Sequence, residues 1–551
     1  MLPPRAHVMI HRIARLTLIL TLTATSVRAQ NTRTPPDERT QDNPSQLAIL
    51  DSAVSAITQM HMDQFSDSIL WEAAIDGLID ALQDPYAELF TPLESEAWEE
   101  ETTGNYSGIG LQITQLNERI TVTAVFRSTP ANQVGILVGD VIVGVNQHDA
   151  SSWTTGMAAD SIRGPVGTEV FVKIKRQGFE EPIAFDIERA QVHRPAVDFA
   201  ILEGGVGYVV MDRVARNAAN EMSDVLRNMD SAKGLIIDLR RNPGGFLDES
   251  LMLADLFLKP GSKLASTVQR VPGSPASETT EDSWDDRWPQ LVPDLPIIVL
   301  VDEYTASGAE ILAGALQDYD RGLVMGARTF GKGVVQTVIP LPYNRRLRFT
   351  TGSWLTPLGR SLQRVRDAQG RPIEEDLDTL PRVITPMGRT LINGGGIFPD
   401  LEIENDTLKT MERELIATAN EVRVLLGLRL AEFGFEVATI LLGNDQKPSL
   451  PEEHFERFLG QLEEEGLPGE LLSDEDVRSY LHWQARINIA QRMNDVGSEA
   501  DFRKERDRVL AEAVQLLLLS DRQTQLFQRL DDRVSGVRNE GAGSERNLRP
   551  Y

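Results

Sequence analysis

The chain has 551 residues, 41% hydrophobic and 25% charged, which is ordinary for globular protein and leaves room for about three or four domains. Its net charge of −27 argues against nucleic acid, and against an anionic membrane surface, as the main partner. Because it has no cysteine, a thiol nucleophile, disulfides and lipid attachment to an N-terminal cysteine are excluded.

Residues 1–29 have the three parts of a secretory signal peptide. A basic region with three arginines precedes a short apolar stretch at residues 16–24, and Val27-Arg28-Ala29 fits a cleavage site before Gln30. The apolar stretch is shorter than the ~20 residues that span a bilayer, and no later run approaches that length. The sequence therefore predicts an exported protein, periplasmic or otherwise extracytoplasmic, that is soluble after signal-peptide removal.

Residues 30–101 are predicted to form a polar, proline-containing lead followed by helix. Between residues 46 and 82, apolar residues recur mostly at three- and four-residue spacings. An ordinary helical hairpin would show the same pattern, so the spacing does not by itself indicate a function.

A β-rich unit is predicted next, at about residues 102–190. Gly108-Ile109-Gly110-Leu111 precedes alternating apolar residues, as in a glycine loop that runs into an edge strand, and Gly135 and Gly139-Asp140 follow downstream. This pattern resembles a PDZ domain, a β-barrel-like fold. The resemblance implies that backbone N–H groups of Gly108, Ile109, Gly110 and Leu111 bind a chain-terminal carboxylate while the peptide adds to the sheet edge. A structural PDZ domain that only gates an active site is the alternative.

A mixed α/β pattern restarts at about Val206. Residues 234–239 are an apolar strand that runs into Arg240-Arg241-Asn242-Pro243-Gly244-Gly245 and then a helix. From these residues alone, a glycine turn after a strand explains the motif equally well. Residues 266–291 are polar, contain three prolines and are interpreted as an insertion.

A second apolar strand, residues 295–301, leads into a small-residue turn that contains Ser307. A helix is predicted directly after it, at residues 310–317. Such a corner exposes a side chain, and free N–H groups at the helix start stabilise negative charge. Ser307 is therefore a candidate nucleophile, although a serine in this position is more often a simple N-cap.

A serine nucleophile needs a base, and the sequence restricts the choice. The chain has seven histidines, and none lies between Arg194 and His454. A Ser-His-Asp triad would therefore need His193 or a histidine from outside the domain. The absence of a His-Glu-x-x-His motif argues against a common zinc protease site.

A lysine is the remaining candidate base, as a known variant of the triad. Lys332 lies between Gly331 and Gly333 with apolar residues around them, and burial lowers the pKa of a lysine enough for it to act as a base. Gln336, four residues on, could hold the lysine nitrogen by hydrogen bonding. Taken alone, a Gly-Lys-Gly sequence is more often a solvent-exposed turn.

Two short repeats and a helical region follow. Residues 356–362 and 385–391 share a Thr-Pro-x-Gly-Arg motif, with a charged stretch between them that we interpret as an insertion. Helical periodicity is present at residues 411–430, 452–462, 473–493 and 501–534. Ser473 and Asp476 are predicted to form a capping arrangement at the start of the third helix.

Together these motifs resemble the C-terminal processing peptidases, also called tail-specific serine proteases. The family pattern is Ser-Ala-Ser-Ala-Ser-Glu followed by Gly-Lys-Gly-x-x-Gln, and this chain departs from it only in the small residues Thr305, Gly308 and Ala309. The resemblance implies a Ser307–Lys332 catalytic dyad assisted by Gln336, with no metal and no cofactor.

The Asp-Leu-Arg-x-Asn-Pro-Gly-Gly motif matches the same family. The match implies that the amide of Gly244 or Gly245, joined by that of Gly308, forms an oxyanion hole. Residues 73–86, which include Asp84-Pro85-Tyr86, resemble the family segment that precedes the PDZ domain and packs against the protease body.

The resemblance covers about residues 50–402 and implies a multidomain α/β fold. A crotonase-like mixed α/β protease domain carries the PDZ domain as an insertion near its start, and a C-terminal α-helical region lies outside the match. The expected divisions are the signal peptide (1–29), the lead and helical segment (30–101), the PDZ domain (102–190), the Ser-Lys protease domain (191–403), the helical region (404–534) and a disordered tail (535–551).

The expected function is that of an exported serine endopeptidase which cleaves proteins near unstructured C-terminal tails, with the PDZ domain binding or gating the substrate. The alternative is a non-catalytic PDZ peptide-binding scaffold of the cell envelope. The intact Ser307, Lys332 and Gln336 argue against a scaffold, because a decayed enzyme would usually have lost one of them. The helical region could bind an adaptor or form a homo-oligomer.

Overall fold

The computed structural model of the chain describes residues 44–540, except 117, 127, 177, 230, 276–277, 368–369 and 404–407. The predicted signal peptide, residues 30–43 of the predicted lead and residues 541–551 of the predicted tail lie outside the described residues. The chain divides into two compact units, Met1–Ala74 and Ile75–Tyr551.

The first unit contains α1 (Pro44–Met60) and the start of α2 (Asp67–Ala81), which ends in the second unit. The helices expected between residues 46 and 82 are therefore present, separated by residues 61–66.

After the end of α2, the second unit continues with β1 (Glu88–Phe90) and α3 (Pro92–Thr103). Thr91 and Glu94 start α3 as a capping box, in which each side chain binds the backbone N–H of the other residue. Gly104 ends the helix in the left-handed conformation (φ 70°) that glycine adopts without strain. The first strand of the predicted PDZ segment follows directly.

The predicted PDZ segment is an antiparallel sheet in the order β3-β4-β5-β7-β8, with β6 paired to β5. Apolar and polar residues alternate along its strands, so that Val122, Val172 and Ile174 lie in one buried core. Strands β2 and β9 pair with each other and bring the two ends of the segment side by side. The elements are β2 (Asn105–Gly108), β3 (Leu111–Leu116), β4 (Arg119–Val125), α4 (Pro130–Gln133), β5 (Val141–Val145), β6 (His148–Asp149), α5 (Thr155–Ile162), β7 (Glu169–Lys175), β8 (Ile183–Glu188) and β9 (Ala190–His193).

The central sheet of the predicted protease domain has six strands in the order β10-β11-β12-β15-β16-β21. Its first pair is antiparallel and the others are parallel. The apolar runs at residues 234–239 and 295–301 form its buried middle strands. The strands are β10 (Val197–Leu202), β11 (Val206–Met211), β12 (Gly234–Asp238), β15 (Ile297–Val301), β16 (Leu323–Gly326) and β21 (Leu401–Glu402).

Both faces of this sheet are covered, which explains why its middle strands are apolar on both sides. Leu235 and Ile237 face the helices α6 (Ala218–Arg227), α7 (Leu247–Asp255) and α8 (Gly308–Asp318), in the larger core. Ile236 lies in a second core with residues from the end of the chain, including Leu510 and Phe527. The C-terminal region therefore completes the core around this sheet.

A second sheet lies beside it in the order β1-β18-β13-β14, with β17 paired to β18. The segment interpreted as an insertion provides most of the β13–β14 hairpin, and its outer strand β14 is exposed along its whole length. The strands are β13 (Lys263–Arg270), β14 (Thr279–Asp285), β17 (Val334–Leu341) and β18 (Arg345–Leu355). A separate short pair consists of β19 (Arg382–Ile384) and β20 (Thr390–Ile392).

The two Thr-Pro-x-Gly-Arg repeats form equivalent loops at the C-terminal end of α8. In the first, Leu358 N and Arg360 Nε each donate to one carboxylate oxygen of Asp318, both at 2.8 Å. In the second, Met387 N and Arg389 Nε do the same to Asp320, both at 2.6 Å. The sequence repeat is therefore a repeated carboxylate-binding loop.

The C-terminal region is helical, but its helix boundaries differ from those predicted. The predicted helix at 411–430 is interrupted after Glu421 and continues from Leu426 to Gly443, with Arg423 in the left-handed conformation (φ 63°). The predicted helix at 501–534 is divided among three helices. The elements are α9 (Thr410–Glu421), α10 (Leu426–Gly443), α11 (Glu452–Glu464), α12 (Gly469–Leu472), α13 (Glu475–Arg492), α14 (Val496–Arg503), α15 (Arg508–Leu518) and α16 (Gln523–Glu540).

Two further predictions for this region need correction. Ser473 does not start α13; Asp474 is the N-cap, and its side chain accepts hydrogen bonds from the backbone of Asp476 and Val477. The predicted start of a disordered tail at residue 535 lies inside α16, which continues to Glu540. Among residues 44–540 as described, no helix is both long enough and apolar enough to cross a bilayer.

Candidate active site

Ser307 lies on the turn between β15 and α8, as predicted from the small residues around it. Its backbone has φ 53° and ψ −117°, which is unusual for a serine and differs from the extended conformation of an ordinary N-cap. Its backbone N–H donates to Glu310 Oε2 at 2.9 Å. Strained backbone of this kind is concentrated at functional sites, where the surrounding structure holds it in place.

Glu310, in the first turn of α8, is fully buried and links the predicted nucleophile to the predicted base. Oε2 accepts the backbone N–H groups of both Ser307 (2.9 Å) and Lys332 (2.8 Å). Oε1 accepts from Thr329 Oγ1 (2.5 Å) and Gly331 N (2.8 Å). Burial raises the pKa of Glu310, and these hydrogen bonds oppose that rise. The two chain segments are thereby held together by one carboxylate.

Lys332 is largely removed from solvent and faces neutral groups. Its Nζ donates to Gln336 Oε1 at 2.6 Å and lies 4.8 Å from the centre of the Tyr86 ring. Burial, helped by the charge of Arg348, lowers the pKa of Lys332 to about 8, against the opposing charges of Asp84 and Glu310. Within the described residues no carboxylate forms an ion pair with it.

Gln336 has a fixed orientation, because its Nε2 donates to the carbonyl oxygen of Tyr86 at 2.9 Å. The amide oxygen must therefore face Lys332 Nζ and accept a hydrogen bond from it. One N–H of a neutral Lys332 is then committed to Gln336. The described hydrogen bonds connect Ser307 and Lys332 through Glu310, not directly; catalytic contacts often shorten only when substrate binds.

The glycine loop after β12 packs directly on the Ser307 turn. A Cβ added to Gly244 would lie 2.5 Å from Ala306 O and 2.6 Å from Gly308 N, so no other residue fits there. Gly244 N already donates to the side chain of Asn242 at 2.9 Å. In the described part of the chain, the amides of Gly245 and Gly308 donate to no other group, which leaves both able to bind an oxyanion.

Two buried contacts hold this loop against the turn. Thr305 Oγ1 donates to Leu239 O at 2.9 Å, and Ala306 N donates to Asn242 O at 2.9 Å. Arg240, at the start of the loop, binds Asp238 through two nitrogens and Asp507 of the C-terminal region through a third at 2.7 Å. The loop is therefore anchored on both the nucleophile turn and the C-terminal region.

The predicted peptide-binding loop of the PDZ segment precedes β3, which is an edge strand of its sheet. Gly110 has φ 86°, and a Cβ added there would lie 2.2 Å from the Thr129 side chain. The Ile109 side chain is buried in the core. The carbonyl oxygen of Ile109 accepts a hydrogen bond from Ala131 N in α4, and that of Gly110 accepts one from Phe126 N in the loop before α4. Gly108 ends β2 and Leu111 starts β3.

No group of three or more His, Cys, Asp or Glu side chains that could hold a metal ion occurs among the described residues.

The sequence did not reveal several residues that surround Lys332 or anchor the glycine loop. Glu310 and Asp84-Pro85-Tyr86 belong to motifs that had been recognised, but no role was assigned to them. Arg348 and Asp507 had no signal in the sequence. Arg348 comes near Lys332 through the pairing of β17 with β18, and Asp507 is 267 residues from Arg240.

Comparison with known proteins gives matches over the predicted protease and PDZ segments. The sequence pattern of Peptidase family S41 matches residues 205–377, and that of a PDZ domain matches residues 107–187. The carboxy-terminal-processing protease of Bartonella bacilliformis is 32% identical over 357 residues, covering 64% of this chain and 80% of that protein. A probable CtpA-like serine protease of Staphylococcus aureus is 34% identical over 292 residues, covering 53% of this chain and 57% of that protein.

Among solved structures, a photosystem II D1 C-terminal processing protease is 24% identical, with a TM-score of 0.32, covering 61% of this chain and 95% of that one. The family assignment rests on the sequence relatives and not on this similarity. The sequence matches define the class as a peptidase that contains a PDZ domain. The chain belongs to Peptidase family S41, among the carboxy-terminal-processing proteases, which confirms the predicted family and the prediction of an enzyme.

Proposed function

We propose that the chain is a serine endopeptidase which cleaves proteins near unstructured C-terminal tails, with Ser307 as nucleophile and Lys332 as general base. The observation that carries this proposal is the environment of Lys332. Its amine is bonded to the neutral amide of Gln336, its pKa is lowered to about 8, and its backbone shares one Glu310 oxygen with the backbone of Ser307. A lysine held in this way can be neutral near physiological pH.

The proposed reaction begins when neutral Lys332 takes the hydroxyl proton of Ser307 while Oγ attacks the scissile carbonyl carbon. The oxyanion that forms is bound by the amides of Gly308 and Gly245, and Gly244 shapes the turn between them. Lys332 then gives the proton to the leaving amine, and an acyl-enzyme on Ser307 remains. Water, activated by the same lysine, hydrolyses the ester and restores the serine.

The proposed substrate is a protein or peptide with an unstructured C-terminal tail. The tail would pair with the free edge of β3 and place its terminal carboxylate at the backbone N–H groups of Gly108, Ile109, Gly110 and Leu111. The left-handed Gly110 and the edge position of β3 support this docking. We propose that docking either delivers the tail to Ser307 or opens access to it.

The remaining proposals concern fold detail and context. The six-stranded, mostly parallel sheet with helices on both faces supports a crotonase-like protease domain, and the antiparallel sheet around one core supports a barrel-like PDZ domain. Residues 1–29 are proposed as a signal peptide, which places the enzyme in the periplasm or another extracytoplasmic space. The proposed divisions of the chain keep their predicted boundaries, except that helix continues to Glu540.

An adaptor or a second copy is proposed to bind the C-terminal region. Helices α9 to α13 have a core of their own, and Leu425 beside them is 67% exposed. Deleting the whole region would uncover the central sheet, because Leu510 and Phe527 lie in its second core. Leu425→Asp, followed by size-exclusion chromatography, is therefore a better test than truncation.

The test of the proposed function is turnover of a protein with an unstructured tail, compared with the same protein without the tail. Ser307→Ala and Lys332→Ala should abolish cleavage while leaving the fold intact. Equal cleavage by the unaltered enzyme, Ser307→Ala and Lys332→Ala would show that the assigned nucleophile is wrong. If none cleaves even with a PDZ-binding peptide added, the scaffold alternative is correct.

A further inference from the structure

A short segment far upstream in the chain forms one wall of the pocket that holds Lys332. Asp84-Pro85-Tyr86 lies between α2 and β1, and 250 residues separate Tyr86 from Gln336. The segment precedes the PDZ domain, and the S41 sequence pattern does not include it. It nevertheless contacts both Lys332 and Gln336.

Tyr86 makes two different contacts at this site. Its ring lies 4.8 Å from Lys332 Nζ and covers the amine on that side. Its carbonyl oxygen accepts Gln336 Nε2 at 2.9 Å, and this bond turns the amide oxygen of Gln336 toward the lysine. The ring therefore keeps water from the base, and the carbonyl orients the group that binds the base.

Asp84 fixes the segment to the strands that follow the base. One of its carboxylate oxygens accepts Tyr86 N at 3.0 Å, and the other accepts Thr350 N on β18 at 2.8 Å. Thr350 lies opposite Gln336 in the pairing of β17 with β18. The segment thus contacts both strands of the hairpin, one through Asp84 and the other through the Tyr86 carbonyl.

The phenol hydroxyl of Tyr86 has a different status from its ring. It is buried and has no hydrogen-bond partner among the described residues. An ordinary reason to retain a buried tyrosine would be a bonded hydroxyl. Here the contacts that reach the site come from the ring and the backbone, so a phenylalanine should serve equally well.

We propose that Tyr86 and Asp84 are positioning residues of the catalytic centre, which hold Lys332 dehydrated and Gln336 in one orientation. The proposal rests on the proposed role of Lys332 as the base. The charged groups that act on the lysine are Arg348 on β18, Asp84 itself and Glu310 on α8. Tyr86 is the aromatic residue that covers it.

The test is the pH dependence of kcat/KM in Tyr86→Ala, Tyr86→Phe and Asp84→Asn, with the 89% exposed Tyr343→Ala as matched control. Burial is the largest cause that lowers the pKa of Lys332, so hydration after ring removal should raise it toward 10.5. The acid limb of the profile then moves up by at least about one pH unit, with about tenfold less activity at neutral pH. Tyr86→Phe and Tyr343→Ala should leave the profile in place.

Asp84→Asn should move the acid limb the other way, because a negative charge that stabilises the ammonium is removed. Opposite shifts in two neighbouring variants cannot come from general loosening of the fold. A loss of activity at every pH without a shift, or no shift in either variant, would overturn the proposal.

A second measurement does not depend on activity. The pH dependence of Lys332 acylation by acetic anhydride, followed by mass spectrometry in a Ser307→Ala background, gives the pKa of this lysine directly. The Tyr86→Ala and Asp84→Asn shifts should appear there too. If they do, while Lys332→Ala still cleaves substrate, the positioning is correct and the assignment of Lys332 as base is wrong.

Discussion

Helix α8 has buried acidic residues near both ends, and they are stabilised differently. The acid at the N-terminal end accepts hydrogen bonds from uncharged groups, whereas the acid at the C-terminal end pairs with an arginine. At the N-terminal end, Glu310 accepts three backbone N–H groups and one hydroxyl, and the nearby lysine is bonded to a neutral amide. At the C-terminal end, Asp318 forms a fully buried ion pair with Arg360 at 2.7 Å. Asp320, just beyond the helix, forms an ion pair with Arg389 at 2.6 Å that is mostly buried.

On the proposed mechanism, the difference separates a site that must move a proton from one that must only be stable. An arginine keeps its proton under all ordinary conditions and binds a carboxylate with two nitrogens, which suits a permanent buried contact. A lysine beside a carboxylate would be held protonated and could not act as a base. The proposed catalytic end accordingly has Lys332 buried without an ion pair among the described residues, and its carboxylate, Glu310, is bonded to backbone N–H groups and one hydroxyl instead.

The largest effect is expected from Lys332→Arg. This variant places an arginine at the N-terminal, proposed catalytic end of α8, like the one that pairs with Asp318 at the C-terminal, structural end. Arginine cannot give up its proton, so kcat/KM should fall on the order of 10³-fold or more. Lys332→Met is the matched variant, because it removes the charge while keeping an unbranched buried side chain. It should be equally inactive and at least as stable to urea; a kcat/KM within about tenfold of the unaltered enzyme in either variant would exclude lysine as the base.

At the structural end, Arg360→Ala should lower the free energy of unfolding by about 3–5 kcal/mol, since Asp318 would stay buried without its cation. Urea unfolding followed by tryptophan fluorescence measures this change. Protein that remains folded should keep its catalytic rate, because the Ser307 end of α8 is untouched. A loss below about 1 kcal/mol would mean that Asp318 is hydrated or becomes protonated at little cost.

Gln336→Glu would place the ion pair of the structural end beside the base. A carboxylate in contact with Lys332 should raise its pKa by about one to three units, so the neutral form becomes scarcer at neutral pH. In the unaltered enzyme, kcat/KM should rise with pH through about 8, the pKa to which Lys332 is lowered. In the variant this rise should occur at higher pH; an unchanged profile would show that Lys332 is not the titrating base.

Sequence could predict the parts of this site whose chemistry lies within short motifs. Ser307 was recognisable from the strand, small-residue turn and helix around it, and Lys332 from its glycines and from the absence of histidine between residues 194 and 454. The buried strands β12 and β15 were recognisable as apolar runs because the sheet is covered on both faces.

The rest depended on contacts that no local pattern contains. Tyr86 and Asp507 reach the site across 250 and 267 residues of chain. The cap of α13 was misplaced by one residue, because Ser473 and Asp474 are both good N-caps and the geometry of the preceding turn decides between them. The break at Arg423 requires a left-handed backbone at a residue that carries no glycine signal.

The smallest effect is expected from the contact between Arg240 and Asp507. Arg240 starts the glycine loop beside Ser307, but it forms ion pairs with carboxylates, as Arg360 does at the other end of α8. Asp507 binds Arg240 with one oxygen and caps α15 with the other, through Leu510 N at 3.0 Å. Asn is an equally good N-cap, so Asp507→Asn removes the charge opposite Arg240 and keeps the helix start. Because Arg240 retains both bonds to Asp238, the loss of stability should be only about 1 kcal/mol.

Asp495→Asn is the matched control, since Asp495 caps α14 through Ser498 N and forms no ion pair among the described residues. The difference between the two variants isolates the Arg240–Asp507 contact from capping. If that contact also holds the glycine loop in place, Asp507→Asn should lower kcat a few-fold with KM unchanged, because the loop would act on the oxyanion and not on the bound substrate. Equal kcat in the two variants would make the contact structural only.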